Sequence, residues 1–164
     1  PGANDNASGI AMLLCLSRYF AENPPEYSMV FMAFSAEEAG LLGAGHFMEN
    51  PLFEITKTRF LINFDLAGTG EEGIKVVNGT IYENEFNKLL FLNEKDSLLT
   101  SVQPRGEACI SDHCIFYMNG IPCFYIYTLG GIKAYHDIYD KAETLPLTEF
   151  NDYFTLMVSF FSSL

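Results

Sequence analysis

Three short apolar runs constrain this chain more than any other feature: Ser28–Phe34, Phe60–Leu66 and Ile121–Tyr127. Each is bounded by turn residues and is apolar nearly throughout, the signature of a strand buried on both faces rather than one with a wet side. The first gives way to Glu37-Glu38, the second ends on Asp65, and the third is followed by a Gly-Gly loop and Tyr135-His136. Between the runs the apolar period changes. Ile10, Leu13, Leu16 and Phe20 recur at helical spacing until Asn23-Pro24-Pro25 stops them. Ala39–Met48 reads as a short helix loosened by Gly40, Gly43 and Gly45, Ile74–Val77 as a short strand, and Glu83–Asn93 as a helix presenting Phe86, Leu89 and Leu90. Asp112–Met118 reads as a helix capped by Ser111, and Leu147–Phe161 as a closing amphipathic helix.

Alternating buried strands and helices predict a single α/β domain over residues 1–164: a three-layer sandwich with a mostly parallel, mixed central sheet and helices on both faces. At 164 residues and 49% hydrophobic, the chain can bury such a core. In this architecture ligands bind beyond the carboxyl ends of the strands. Glu37, Glu38, Asp65 and His136 all fall at such ends, and Asp5 lies in the opening turn Pro1–Asn6. A turn of that kind normally follows a strand, so the expectation is a fold whose N-terminal strands are missing.

The net charge of −12 opposes binding to nucleic acid or to an anionic membrane surface, and favours cations. No apolar run approaches the roughly 20 residues of a spanning helix, and no charged-then-apolar leader opens the sequence. Cys15, Cys109, Cys114 and Cys123 form no CxxC pair and read as buried small hydrophobes, with a disulfide among the last three left open. The compartment stays open as well, secretion or the periplasm being preferred to the cytoplasm.

Carboxylates joined by one neutral imidazole suit zinc, and a catalytic zinc takes about three protein ligands with an open position for water. Asp5, Glu38 and His136 meet that requirement, and Glu37 is available as a base that does not ligate. Acids in the first turn of a helix are unremarkable by themselves, since the dipole favours them. The pair acquires chemical meaning through Asp5, Asp65 and His136.

The segments Gly2-Ala3-Asn4-Asp5-Asn6-Ala7-Ser8-Gly9, Phe34-Ser35-Ala36-Glu37-Glu38-Ala39-Gly40, Asn63-Phe64-Asp65, Ser111-Asp112-His113 and Tyr135-His136, in this order, resemble the leucyl-aminopeptidase-type co-catalytic zinc exopeptidases. The resemblance implies that Asp5 bridges two zinc ions, Glu38 and His136 complete one site, Asp65 belongs to the other, and Glu37 is the general base. It further implies a cis Asp5–Asn6 peptide, an oxyanion-stabilising role for Tyr135, and peptide substrates cut at their N-terminus. The family's His-x-Asp motif upstream of the bridging Asp has no counterpart here. His46 reads as a surface or packing residue and His113 as a supporting one, which leaves Asp65 without a full set. The expectation is therefore one zinc at best in this chain, and an impaired enzyme. A glutaminyl-cyclase-like single-zinc enzyme is the alternative within the fold. A non-enzymatic receptor or interaction domain is a further one, opposed by the presence of all five ligand and base residues. The loops Thr128–Ala134 and Cys109–Ser111 would shape the substrate pocket.

Overall fold

The computed structural model describes residues 1–164. Helix α1 (Gly9–Glu22) follows a tight opening turn, and α2 (Leu42–Glu49) follows the acidic pair. Then come β1 (Leu61–Asp65), β2 (Gly73–Val77), α3 (Glu83–Asp96), β3 (Val102–Pro104), α4 (His113–Met118), β4 (Cys123–Leu129) and α5 (Phe150–Ser162). The strands form one sheet in the order β1-β4-β2-β3. The pairs β1/β4 and β2/β3 are parallel, while β2 runs antiparallel to β4. Register in the first pair sets Asp65 opposite Tyr127, so both strands finish at the same edge.

The two-residue period of β4 divides the core into layers. Phe124 and Ile126 face α1, α3 and α5, packing with Met12, Leu16, Leu89, Leu156, Met157 and Phe160 in one cluster of fully or nearly fully buried side chains. Cys123 and Tyr125 alternate with them: His113 of α4 stacks on Tyr125, and the Cys123 thiol lies against the His113 carbonyl. Phe116 of α4, Ala44 of α2 and Ile121 make a smaller second cluster. Helices thus cover both faces, giving the expected sandwich. Each fully buried Leu or Met in the main cluster is worth about 1.5–3 kcal/mol in transfer free energy.

Asn6 fixes where α1 begins. Its amide oxygen accepts the Gly9 N–H at 3.1 Å, an N-cap bond, while its Nδ2 donates to the Phe64 carbonyl of β1 at 2.9 Å. Helix and strand approach so closely here that a Cβ on Gly9 would lie 2.7 Å from the Phe64 carbonyl oxygen and would also collide with Asn6 Oδ1. Gly9→Ala is accordingly expected to destabilise the fold by about 1–3 kcal/mol, the usual range for overpacking, and urea denaturation measures it.

Several expectations need correction. Ser28–Phe34 is not a buried strand: it pairs with no strand, its backbone makes no hydrogen bond, and Val30 is 52% exposed. Strands need a neighbour to hydrogen-bond, and none lies beside this run. The helix expected from Ala39 starts only at Leu42, because Gly40 and Leu41 both adopt positive φ. Ser111 does not cap α4; its hydroxyl accepts from Asn63 Nδ2 at 2.8 Å. β3 carries no alternation legible in the sequence, and its Pro104 is tolerated because the strand lies at the sheet edge. Cys109 and Cys114 form a disulfide, Cys123 is buried, and Cys15, expected inside, is exposed.

Candidate metal centre

The opening turn, the segment after Ser28–Phe34, the end of β1 and the loop after β4 bring the acidic residues toward one edge of the sheet. His136 Nε2 lies 3.2 Å from Asp5 Oδ2 and 2.8 Å from Glu38 Oε1. One ligand atom from each of these three residues lies within 4.8 Å of the other two. Ligand atoms about 2.0–2.1 Å from a tetrahedral zinc stand roughly 3.3 Å apart, so this donor set suits the ion in both chemistry and spacing. Asp5 is the most buried of the three; its side chain is 15% exposed, against 50% for His136 and 65% for Glu38.

Asp65 is not among the three. Its Oδ1 accepts the Leu66 N–H at 2.9 Å and its Oδ2 accepts the Tyr125 hydroxyl at 3.3 Å. Burial, reinforced by the Asp5 charge, pushes its pKa up to about 7, although both hydrogen bonds pull the other way. Asp5 is raised as well, by burial and then by Glu38, with His136 opposing. Glu37 is partly buried near Glu38, Asp112 and Asp5, and burial followed by those charges raises its pKa too. Tyr135 is 64% exposed, its ring stacked on the His136 imidazole at 3.9 Å. His113 stands apart from the cluster. It is buried, its Nε2 pairs with the Ala108 carbonyl at 2.8 Å, and it stacks on Tyr125, the tyrosine that donates to Asp65. His46 sits exposed on α2, away from the acids.

Backbone geometry is unusual at each junction. The Asp5–Asn6 peptide is cis, as the resemblance implied. Positive φ occurs at Ala36 just before Glu37, at Leu66 just after Asp65, and at His136 itself. For Ala and Leu this region is sparsely populated and costs on the order of 1 kcal/mol or more, a pattern that concentrates at functional sites.

Asp140, which by sequence could either orient His136 or be a solvated loop acid and was not among the expected site residues, belongs to this constellation in another way. Asp140 is 3% exposed, and its two carboxylate oxygens accept the N–H groups of Asn4 at 2.7 Å and Asp5 at 3.0 Å. Its own carbonyl accepts the Ala3 N–H at 3.2 Å. Asp140 therefore ties the turn bearing Asp5 to the loop bearing His136. Nothing in the spacing of a loop acid four positions after a histidine signals this, because the partners are remote in sequence. Asp140→Ala leaves two N–H groups without their acceptors and is expected to weaken zinc binding by about 10–100-fold, with Asp140→Asn falling between it and the wild type. Competition titration against a chromophoric chelator measures the effect.

Comparison with known proteins fits this geometry. Residues 1–161 match the model of peptidase family M28. Aminopeptidase YwaD of Bacillus subtilis is 38% identical over 73 residues, covering 44% of this chain and 16% of that protein. A probable leucine aminopeptidase 2 of Aspergillus oryzae is 27% identical over 139 residues, covering 78% of this chain and 28% of its own length. Among solved structures, a zinc aminopeptidase from Bacillus subtilis superimposes with a TM-score of 0.85 at 26% identity, over 99% of this chain and 42% of that one. A Bacteroides thetaiotaomicron glutaminyl cyclase shares the fold, with a TM-score of 0.75 at 19% identity, over 99% of this chain and 63% of that one. The chain thus spans less than a third of the curated relatives named here and belongs to peptidase family M28.

Proposed function

We propose that this chain carries the catalytic half-site of a zinc-dependent aminopeptidase that removes N-terminal residues from peptides. The observation that carries the reading is the convergence of Asp5, Glu38 and His136 within 4.8 Å, with the partly buried Glu37 close by. Zinc held by Asp5, Glu38 and His136 would polarise the scissile carbonyl and acidify a bound water. Glu37, made more basic by burial and neighbouring acids, takes the proton of the attacking water and returns it to the departing amine. Tyr135, beside His136, donates a hydrogen bond to the oxygen on which charge develops. The free α-amino group of a peptide is drawn to the same acidic edge in a protein of net charge −12.

Asp65 belongs, in this reading, to a second ion sharing Asp5. Without a further ligand that ion is held weakly, so the chain binds one zinc at best and turns over poorly. The test is zinc analysis together with hydrolysis of an aminoacyl-anilide. Bound zinc and chelator-sensitive release of the aniline are expected; a protein free of zinc and inert in its complete form would sink the reading. The separation of Asp65 from the clustered donors also favours a single-zinc chemistry such as cyclisation of N-terminal glutamine. Cyclisation of a glutaminyl peptide without anilide hydrolysis would decide for that alternative. No helix is long and apolar enough to cross a membrane.

A further inference from the structure

Nine Lys and Arg residues stand against 21 Asp and Glu, so a basic side chain that finds no carboxylate calls for a reason. Arg18 and Lys57 pair with Glu22 and Glu54, a turn away on the surface. Of the nine, only Lys75, Lys88 and Arg105 are half-buried. Lys88 donates to the Ser163 carbonyl at 2.7 Å. Lys75 and Arg105 converge instead on one face of the sheet, and neither meets an acid. Lys75 of β2 lies opposite Gln103 of β3 on one side and Tyr127 of β4 on the other, so the three side chains leave the same face. The Lys75 ammonium donates to Gln103 Oε1 at 3.0 Å, and Gln103 Nε2 donates in turn to the Ser101 hydroxyl at 3.1 Å. The Arg105 guanidinium, just beyond β3, donates to the Tyr127 hydroxyl at 3.1 Å. Glu107, the next acid along the chain, is engaged elsewhere: its carboxylate accepts the Tyr117 hydroxyl at 2.8 Å.

Both cations are therefore oriented by neutral partners, with most of their hydrogen-bonding capacity spare. A guanidinium offers five N–H donors and an ammonium three; one of each has a protein acceptor here. A half-buried cation without a counter-charge is unfavourable by itself, and an arriving carboxylate, with two oxygens in one plane, answers it. The location gives that anion a role. Tyr127 stands in register with Asp65, and its ring lies 5.4 Å from that of Tyr125, whose hydroxyl reaches Asp65 Oδ2 at 3.3 Å. The cationic pair thus borders the acidic edge that receives the peptide's α-amine. We propose that Lys75 and Arg105, braced by Gln103 and Tyr127, form a subsite for a carboxylate of the substrate, giving a preference for peptides that begin with Glu or Asp. The first side chain carries the carboxylate nearest the scissile bond; the α-carboxylate of a dipeptide is the other source of the same chemistry. Such a subsite offsets locally the repulsion that a net charge of −12 exerts on an acidic substrate. The substrate preference rests on the peptidase reading, whereas the binding of a carboxylate at the pair does not.

The experiment measures kcat/KM of the complete zinc-loaded protein on glutamyl- and leucyl-p-nitroanilide, and on Leu-Gly and Leu-Gly-amide. Arg105→Gln and Lys75→Gln are each expected to lower the glutamyl-to-leucyl ratio about 10–100-fold, mainly through KM, the scale of a lost charge-assisted hydrogen bond. Arg105→Glu should turn the preference toward lysyl-p-nitroanilide, which loss of a merely structural brace would not do. A fall confined to the Leu-Gly over Leu-Gly-amide ratio would keep the subsite and assign it the terminal carboxylate. Independently of turnover, the Arg105 Nε–Hε resonance should shift saturably with glutarate and stay in place with glutaramide. If no anilide is cleaved, the peptidase reading fails and this titration alone decides the subsite; it also decides if Arg105 variants do not fold. The proposal is overturned if neither ratio changes by more than about two-fold in folded, active variants, or if glutarate leaves the Arg105 resonance unmoved.

Discussion

Glu37→Gln, made in the protein with its complete metal set, is expected to lower kcat by about 10²–10⁴-fold while zinc stays bound and KM changes little. The substitution keeps the size and polarity of the side chain and removes only its capacity to accept and return a proton. Glu37 is not one of the three donors that meet within 4.8 Å, so the metal has no reason to leave. Glu38→Gln is the complementary case. Its oxygen lies 2.8 Å from His136 Nε2, and loss of the carboxylate charge weakens the ion's hold before any chemistry is reached. Zinc content and turnover measured on both variants separate the two roles. If the variants lost zinc to the same degree, adjacent acids would not be dividing holding from proton transfer, and Glu37 would have to be reassigned as a ligand.

The positions of Asp65 and His136 were readable before the fold, because chemistry imposes residue types at strand ends. Asp65 finishes β1 opposite Tyr127 of the paired strand β4, and His136 follows β4 within a loop's length, as the apolar runs implied. Less was readable where an element depends on what lies beside it. Ser28–Phe34 has the composition of an interior strand, yet composition does not provide a neighbour, and the run lies unpaired. Ser111 has a good capping side chain, but Asn63, remote in sequence, competes for its hydroxyl. Asp140 lay beyond reach for the same reason: its role consists of contacts with Asn4 and Asp5, at the opposite end of the chain. Local propensity carries no information about such partners, whereas buried strands and metal-ligating types announce themselves.

Asp65→Asn should stabilise the metal-free chain at pH 8 and leave it nearly unchanged at pH 4. In the folded protein burial and the Asp5 charge push this carboxyl up to about 7, against a reference of 3.8. A folded-state pKa above the unfolded one means that the native state binds the proton more tightly. Its contribution is fully present below pH 4 and is lost as pH rises toward and through 7. The interval corresponds to roughly 4 kcal/mol as an upper bound, reduced by water entry and relaxation to about half that in practice. Asp5 and Glu37 shift in the same direction and steepen the same decline. Asparagine retains an oxygen for the Leu66 N–H and a polar partner for Tyr125, so it removes the charge with little change in packing. Urea midpoints of both proteins between pH 4 and 8 test this: the wild type should fall with pH and the variant should fall less. Zinc added at pH 8 should then stabilise both by a similar increment, because Asp5, Glu38 and His136 are intact in each. Parallel pH curves would show that Asp65 is not held against its charge. An increment lost in the variant would instead make Asp65 a ligand of the same ion as the clustered three.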